Sequence, residues 1–261
     1  MLATIRIGEG PRPVVLIHGF LGSGRNLTSL ARRWSELDPS LSFVLPDLPG
    51  HGISPPVAET DNLLDVARKV LDAARAAGFE GRLSWVGHSL GGRVSLAAAL
   101  AVPEAVADIT LLDIAPGPIP ERTSESAGIL RQLLAAPASA PDRGTMRRFL
   151  LDRGLAPGIV EWLLMNLVHT DAGYVWRIDR QALQRFHERV NAADLWEAVE
   201  RPVAPVRCVR GGRAPYVTDE DKARMERAGC PVATIPEAGH FLHVDAPDAL
   251  LALLTGRIPW A

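Results

Sequence analysis

The sequence predicts an α/β fold with a mostly parallel central sheet flanked by helices. Three observations predict it. Apolar runs rich in β-branched residues recur along the chain, helical patterns lie between them, and a glycine closes the clearest of those helices. A length of 261 residues with 47% hydrophobic residues allows one large domain, or one domain carrying an insertion.

The first strand is expected at "VVLI", 14–17, and a glycine-rich stretch, "HGFLGSGRN", follows it. The second is "LSFVLP", 41–46, followed by the turn "DLPGHGIS". "DNLLDVARKVLDAARAAG" has apolar residues at helical spacing and stops at Gly78. "LSWVG" (83–87) and "ITLLDI" (109–114) continue the sheet. After Asp113, "APGPIP" and "AAPASAPDRG" break the alternation, and a mostly helical stretch runs to about Glu200. Strand character returns at "VAPVRCVRGG", 203–212, and "CPVATIP", 230–236. Residues 117–200 therefore read as a helical insertion into a core formed by 1–116 and 201–261.

Composition excludes several classes. Net charge is −2, basic and acidic residues are interspersed, and the insertion balances its arginines with carboxylates, which argues against a nucleic-acid partner. No apolar run is long enough to span a membrane, and the N-terminus lacks the pattern of a secretory signal. Two cysteines, Cys208 and Cys230, match no disulfide framework or zinc spacing, so a cytoplasmic setting is expected.

Chemistry concentrates at "LSWVGHSLGGRVSLAAALA". Gly87, Ser89 and Gly91 satisfy G-x-S-x-G directly after a strand and at the start of a helix. That context lifts a serine hydroxyl above the sheet on a strained turn. A hydroxyl is a weak nucleophile and needs a base held by a third group. His240, in "EAGHFLHVDAP" between the last strand and the last helix, is the candidate base, and His243 is its near neighbour. The acid lies between serine and histidine in this arrangement. Asp113 ends a strand at the sheet edge where ligands bind, while Asp219 opens a helix after Thr218 as a capping residue would. Both remain candidates on this ground.

The glycine-rich stretch admits two readings. Gly19, Gly24 and Arg25 approach the phosphate-loop spacing, but Asn26 stands where a magnesium-binding hydroxyl belongs. As an oxyanion loop it would pair the Phe20 backbone amide with that of Leu90, the residue after the nucleophile. Asp47 and His51 are too isolated for a metal set. No metal or organic cofactor is expected.

With "HGF", "DLPGHGIS", "GHSLGG", "LLDIAP" and "AGHFLHVDAP" in order, the chain resembles the α/β-hydrolase fold superfamily over nearly its whole length. "LDRGLAP", "WLLMNL", "YVWRID" and "RGGRAPYV" resemble the small bacterial esterases of the YbfF type. The resemblance implies Ser89 as nucleophile, His240 as base and a cap after the sixth strand. It favours Asp113 as the acid, and the position where many relatives carry an acid in the later strand loop holds Ala214. It implies hydrolysis of carboxylic esters or acyl thioesters. Perhydrolysis, lyase chemistry and an idle binding protein are the alternatives.

Leu21, Trp162, Met165, Trp176 and Phe241 are expected to line the substrate pocket. Activity is expected to rise with pH through the ordinary histidine value of about 6.5. The sequence does not specify an oligomeric state.

Overall fold

In the computed structural model, which describes residues 1–120, 124–171 and 173–260, strands and helices alternate through the first part of the chain. β1 (Thr4–Ile7) and β2 (Arg12–Ile17) lead into α1 (Thr28–Leu37), β3 (Leu41–Pro46), α2 (Leu63–Ala76), β4 (Leu83–His88), α3 (Leu90–Ala101) and β5 (Val106–Leu112). Away from the sheet follow α4 (Glu125–Ala135), β6 (Ser139–Ala140), α5 (Arg143–Asp152), α6 (Pro157–Leu164), β7 (Leu167–Thr170), β8 (Gly173–Trp176), α7 (Arg180–Ala192) and α8 (Glu197–Glu200). The chain returns through β9 (Val206–Gly211), α9 (Asp219–Arg227), β10 (Val232–Ile235), α10 (Leu242–Asp245) and α11 (Pro247–Leu254).

Seven strands form one sheet in the order β1-β3-β2-β4-β5-β9-β10. β1 is antiparallel to β3, and the other neighbours are parallel. Parallel strands are buried on both faces, so their side chains split between two cores. Val15 and Ile17 of β2 join Trp85, Val94 and Leu111 on the face covered by α2 and α3. Val14 and Leu16 join Phe43, Val86, Leu112 and the residues of α1 and α11 on the other face. The strand period of two thus sorts one apolar run into two layers.

Local chemistry sets the helix ends. Asn62 caps α2 by accepting the Leu64 and Asp65 amides, and Gly78 lies beyond its end at φ 84°. α3 is buried from Leu90 to Ala99, which explains why its sequence, Arg93 and Ser95 apart, is small or apolar all round.

The strand order reverses direction between β2 and β4, because β3 lies on the far side of β2 and β5 on the far side of β4. Such a reversal opens a crevice at the carboxyl ends of the two strands. The loop after β2 and the turn after β4 both reach it.

The predicted architecture is present with two differences. The chain leaves the sheet after its fifth strand, not a sixth, because a single strand precedes β2. The stretch between β5 and β9 is also not wholly helical, since β6, β8 and β7 pair as a small antiparallel sheet.

A buried arginine ties that stretch to the sheet. Arg93 of α3 is about 1% exposed and donates to the Val190 and Ala193 carbonyls at the end of α7, and to Ala115 and Gly117 after β5. A cation at a helix C-terminus also meets the negative end of the helix dipole. Burial lowers the Arg93 pKa only to about 10, so the charge persists at neutral pH. Arg93→Met keeps the bulk but removes the guanidinium donors from those carbonyls. We expect it to lower stability by about 2–3 kcal/mol, read from the urea midpoint.

Candidate active site

Three non-glycine residues adopt left-handed φ angles among the described residues: Leu21 at 62°, Ser89 at 52° and Asp113 at 54°. Each follows the end of a parallel strand at the crevice, on the turns after β2, β4 and β5. A side chain in this region costs about 1–3 kcal/mol, so the surrounding packing must hold it there.

For Ser89 the holding is visible. Its amide donates to the Leu112 carbonyl at 3.0 Å, and its carbonyl receives the Gly92 and Arg93 amides of the first turn of α3. A Cβ on Gly87 would stand 2.1 Å from the Gly91 carbonyl, and one on Gly91 would stand 2.3 Å from the Ile17 oxygen. The G-x-S-x-G glycines are therefore required by backbone contact. Among the described residues the Ser89 hydroxyl has no hydrogen-bond partner, and it lines the cavity with His240. Such bonds tighten when substrate binds.

Asp113 is fully buried, and its Oδ2 lies 2.7 Å from His240 Nδ1. Its Oδ1 accepts the Gly211 amide at 2.8 Å. Burial raises the Asp113 carboxyl above the ordinary carboxylate range, opposed by the Gly211 amide and by Arg210. Burial also lowers His240 below its ordinary value, opposed by Asp245. The imidazole is thus neutral at neutral pH with Nδ1 bonded to Asp113, and Nε2 has no hydrogen-bond partner among the described residues. This places the acidic limit of its basic form below 6.5, lower than the sequence alone suggested.

Asp219 does not share this environment. Its side chain is 92% exposed and pairs with Arg210 at 2.7 Å, at the start of a helix capped by Thr218.

The stretch after β2 is shaped by partners of its own. His18 Nδ1 donates to the Gly19 carbonyl at 2.7 Å, and its Nε2 accepts the Leu48 amide at 3.0 Å. Asn166, from the stretch between β5 and β9, donates to the Leu21 carbonyl at 3.1 Å. Leu90 opens α3, so its amide has no acceptor within the helix. Among the described residues the Phe20 amide has no hydrogen-bond acceptor either, and Phe20 lines the same cavity as Ser89. Asp47 accepts the Gly24 and Ile53 amides, and His51 Nδ1 donates to the Pro49 carbonyl, so "DLPGHGIS" is a braced turn. Among the described residues no cluster of three metal-binding side chains exists.

A cavity of about 530 Å³ spans the site, lined by Phe20, Ser89, Trp162, His240 and Phe241 together with Glu125, Ser126, Ile129, Ile159 and Tyr216. Three expected pocket residues lie elsewhere. Leu21 is about 1% exposed because its left-handed turn sends the side chain into the core. Met165 is half-exposed and contacts Asn26 through sulfur, and Trp176 donates Nε1 to the Pro137 carbonyl outside the cavity. Tyr216, Ser126 and Asn166 were not singled out in the sequence. "RGGRAPYV" was the one available signal for Tyr216.

His88 Nε2 donates to the His240 carbonyl at 2.8 Å, and His243 packs edge-on against the His88 ring. Burial lowers both rings, so neither adds charge near His240 at neutral pH.

The profile of the alpha/beta hydrolase family matches residues 14–253. Esterase Rv0045c of Mycobacterium tuberculosis is 29% identical over 98% of this chain and 85% of its own length. Esterase YbfF of Escherichia coli is 28% identical over 92% of this chain and 90% of its own. A solved marine microorganism esterase superposes with a TM-score of 0.84 at 25% identity, covering 98% of this chain and 99% of its own.

The two candidate acids are separable by one pair of variants. Asp113→Asn is expected to lower kcat by about 10⁴, as loss of the acid does in such sites, while Asp219→Asn stays within about twofold. Steady-state kinetics on one ester checks both.

Proposed function

The chain belongs to the alpha/beta hydrolase family and is a carboxylic ester hydrolase, and we propose that it acts as a serine esterase through Ser89, His240 and Asp113. The observation that carries this reading is the 2.7 Å contact between Asp113 and His240 beside the cavity that Ser89 lines.

In the proposed reaction the Ser89 Oγ attacks the ester carbonyl carbon while His240 Nε2 takes the hydroxyl proton. Asp113 keeps Nε2 facing the serine and steadies the imidazolium that forms. Negative charge passes to the former carbonyl oxygen, which the Phe20 and Leu90 amides receive. Each such donor is worth about 3 kcal/mol because it is already oriented when the charge develops. The tetrahedral intermediate collapses, His240 returns the proton to the departing alcohol, and an acyl-enzyme remains. Water repeats the sequence and frees the acid.

Ile129, Ile159, Trp162 and Phe241 give the cavity an apolar wall, which favours small apolar acyl groups over charged ones. Oxygen esters are the proposed substrates. The residues 117–200 act in this reading as a cap, since they supply Ser126, Ile129, Ile159 and Trp162 to the cavity.

Hydrolysis of p-nitrophenyl butyrate tests the reading. Wild type is expected to turn over, and Ser89→Ala to lose at least about a thousandfold in kcat. Equal rates in the two proteins would overturn it.

A further inference from the structure

The proposed base is held by Asp113 along one edge of its ring, and an edge contact alone leaves the ring free to tilt. Something must fix its face. Tyr216, on the connection between β9 and α9, lies flat on His240 with ring centroids 4.0 Å apart and planes 28° apart. The tyrosine is itself buried and anchored at three points. Its carbonyl accepts the Ala115 amide, two residues after Asp113, at 3.2 Å. Its ring covers His240. Its hydroxyl accepts the Ser126 amide in the first turn of α4 at 3.3 Å.

Ser126 carries the link further. Its hydroxyl lies 2.8 Å from His187 Nε2 on α7, and the His187 ring packs 4.5 Å from that of Phe20, which lines the cavity. A continuous set of contacts therefore runs from His240 through Tyr216, Ser126 and His187 to the stretch after β2. Between Tyr216 and Phe20 it passes through α4 and α7.

Resting on the serine-esterase reading, we propose that Tyr216 is a positioning residue: its ring fixes the plane of the His240 imidazole, and its hydroxyl ties that plane to α4. Proton transfer from Ser89 then depends on the seating of α4, although no residue of α4 takes part in the chemistry. The groups facing His240 are Asp113 after β5, His88 at the end of β4, His243 and Asp245 on α10, and Tyr216. Of the large rings beside His240, Tyr216 lies on its face while Phe241 meets it edge-on at 5.5 Å, so removing the Tyr216 ring admits water to the imidazole and favours the charged form. The basic form is then lost at a higher pH, and activity falls away earlier on acidification.

The experiment compares wild type, Tyr216→Phe and Tyr216→Leu on p-nitrophenyl butyrate across pH 4.5–8.5, with Ser89→Ala as the blank. Tyr216→Leu keeps an apolar side chain but removes the planar cover, leaving room for water over the imidazole. It is expected to lower kcat about tenfold and to move the acid limb of kcat/KM upward towards the ordinary histidine value of about 6.5. Tyr216→Phe keeps the face and loses the hydroxyl, so its acid limb stays with wild type and its kcat falls about threefold. Should Tyr216→Leu fail to fold, the proposal rests on Tyr216→Phe. An unmoved limb with the modest loss in kcat supports it, and wild-type kcat or a shifted limb overturns it. A folded Tyr216→Leu enzyme with the wild-type limb and near-wild-type kcat overturns the proposal as well. Activity surviving in Ser89→Ala would instead overturn the serine-esterase reading beneath it.

Discussion

The whole site depends on one close backbone approach. β4 must turn into α3 hard against the end of β2, near enough that a methyl group on Gly91 would overlap the Ile17 oxygen. That approach puts the serine turn and the stretch after β2 side by side at the reversal in strand order. The turn is strained at Ser89, at a cost of about 1–3 kcal/mol. Burial of Leu90, Val94 and Leu96 along α3 offsets it, since each large apolar side chain contributes about 1.5–3 kcal/mol. Packing therefore holds the serine where sterics alone would not.

Burial also shapes the electrostatics. Asp113 and His240 share a hydrogen bond in a place that penalises charge on either. A resting ion pair would carry that penalty twice. A neutral imidazole donating to the Asp113 carboxylate carries it once, and in the proposed reaction the ion pair forms only while the serine proton is in transit. The surrounding histidines follow the same logic. His18, His51 and His88 are buried and lowered to about 4, 3 and 3, so they remain neutral donors or acceptors to backbone. They act as rigid struts and not as competing bases.

What the sequence made legible was local. The strand, tight turn and helix around Ser89 announce themselves because glycines are needed within four residues of the serine, and His240 stands out by following the last strand. A strand end and a helix cap ask different things of a carboxylate, but Asp113 and Asp219 both stayed open in the sequence, and it is the structure that puts Asp113 2.7 Å from His240. The missed residues are those whose partners lie far along the chain. Arg93 bonds Val190, Asn166 bonds Leu21 and Tyr216 bonds Ser126, separations of 97, 145 and 90 residues. No periodicity encodes such pairs. Leu21, Met165 and Trp176 failed as pocket residues for a related reason, because residue type suggests an apolar surface without saying which one it faces.

The central claim is that Ser89 forms a covalent bond to the acyl carbon, and a phosphonate ester tests it most directly. The wild-type enzyme would be incubated with a p-nitrophenyl alkylphosphonate, the released p-nitrophenolate counted, and the protein mapped by peptide mass spectrometry. The account predicts one phosphonyl group per chain, bonded to the Ser89 oxygen, with loss of esterase activity in step. Modification at another residue, or full inactivation with Ser89 unmodified, would contradict it.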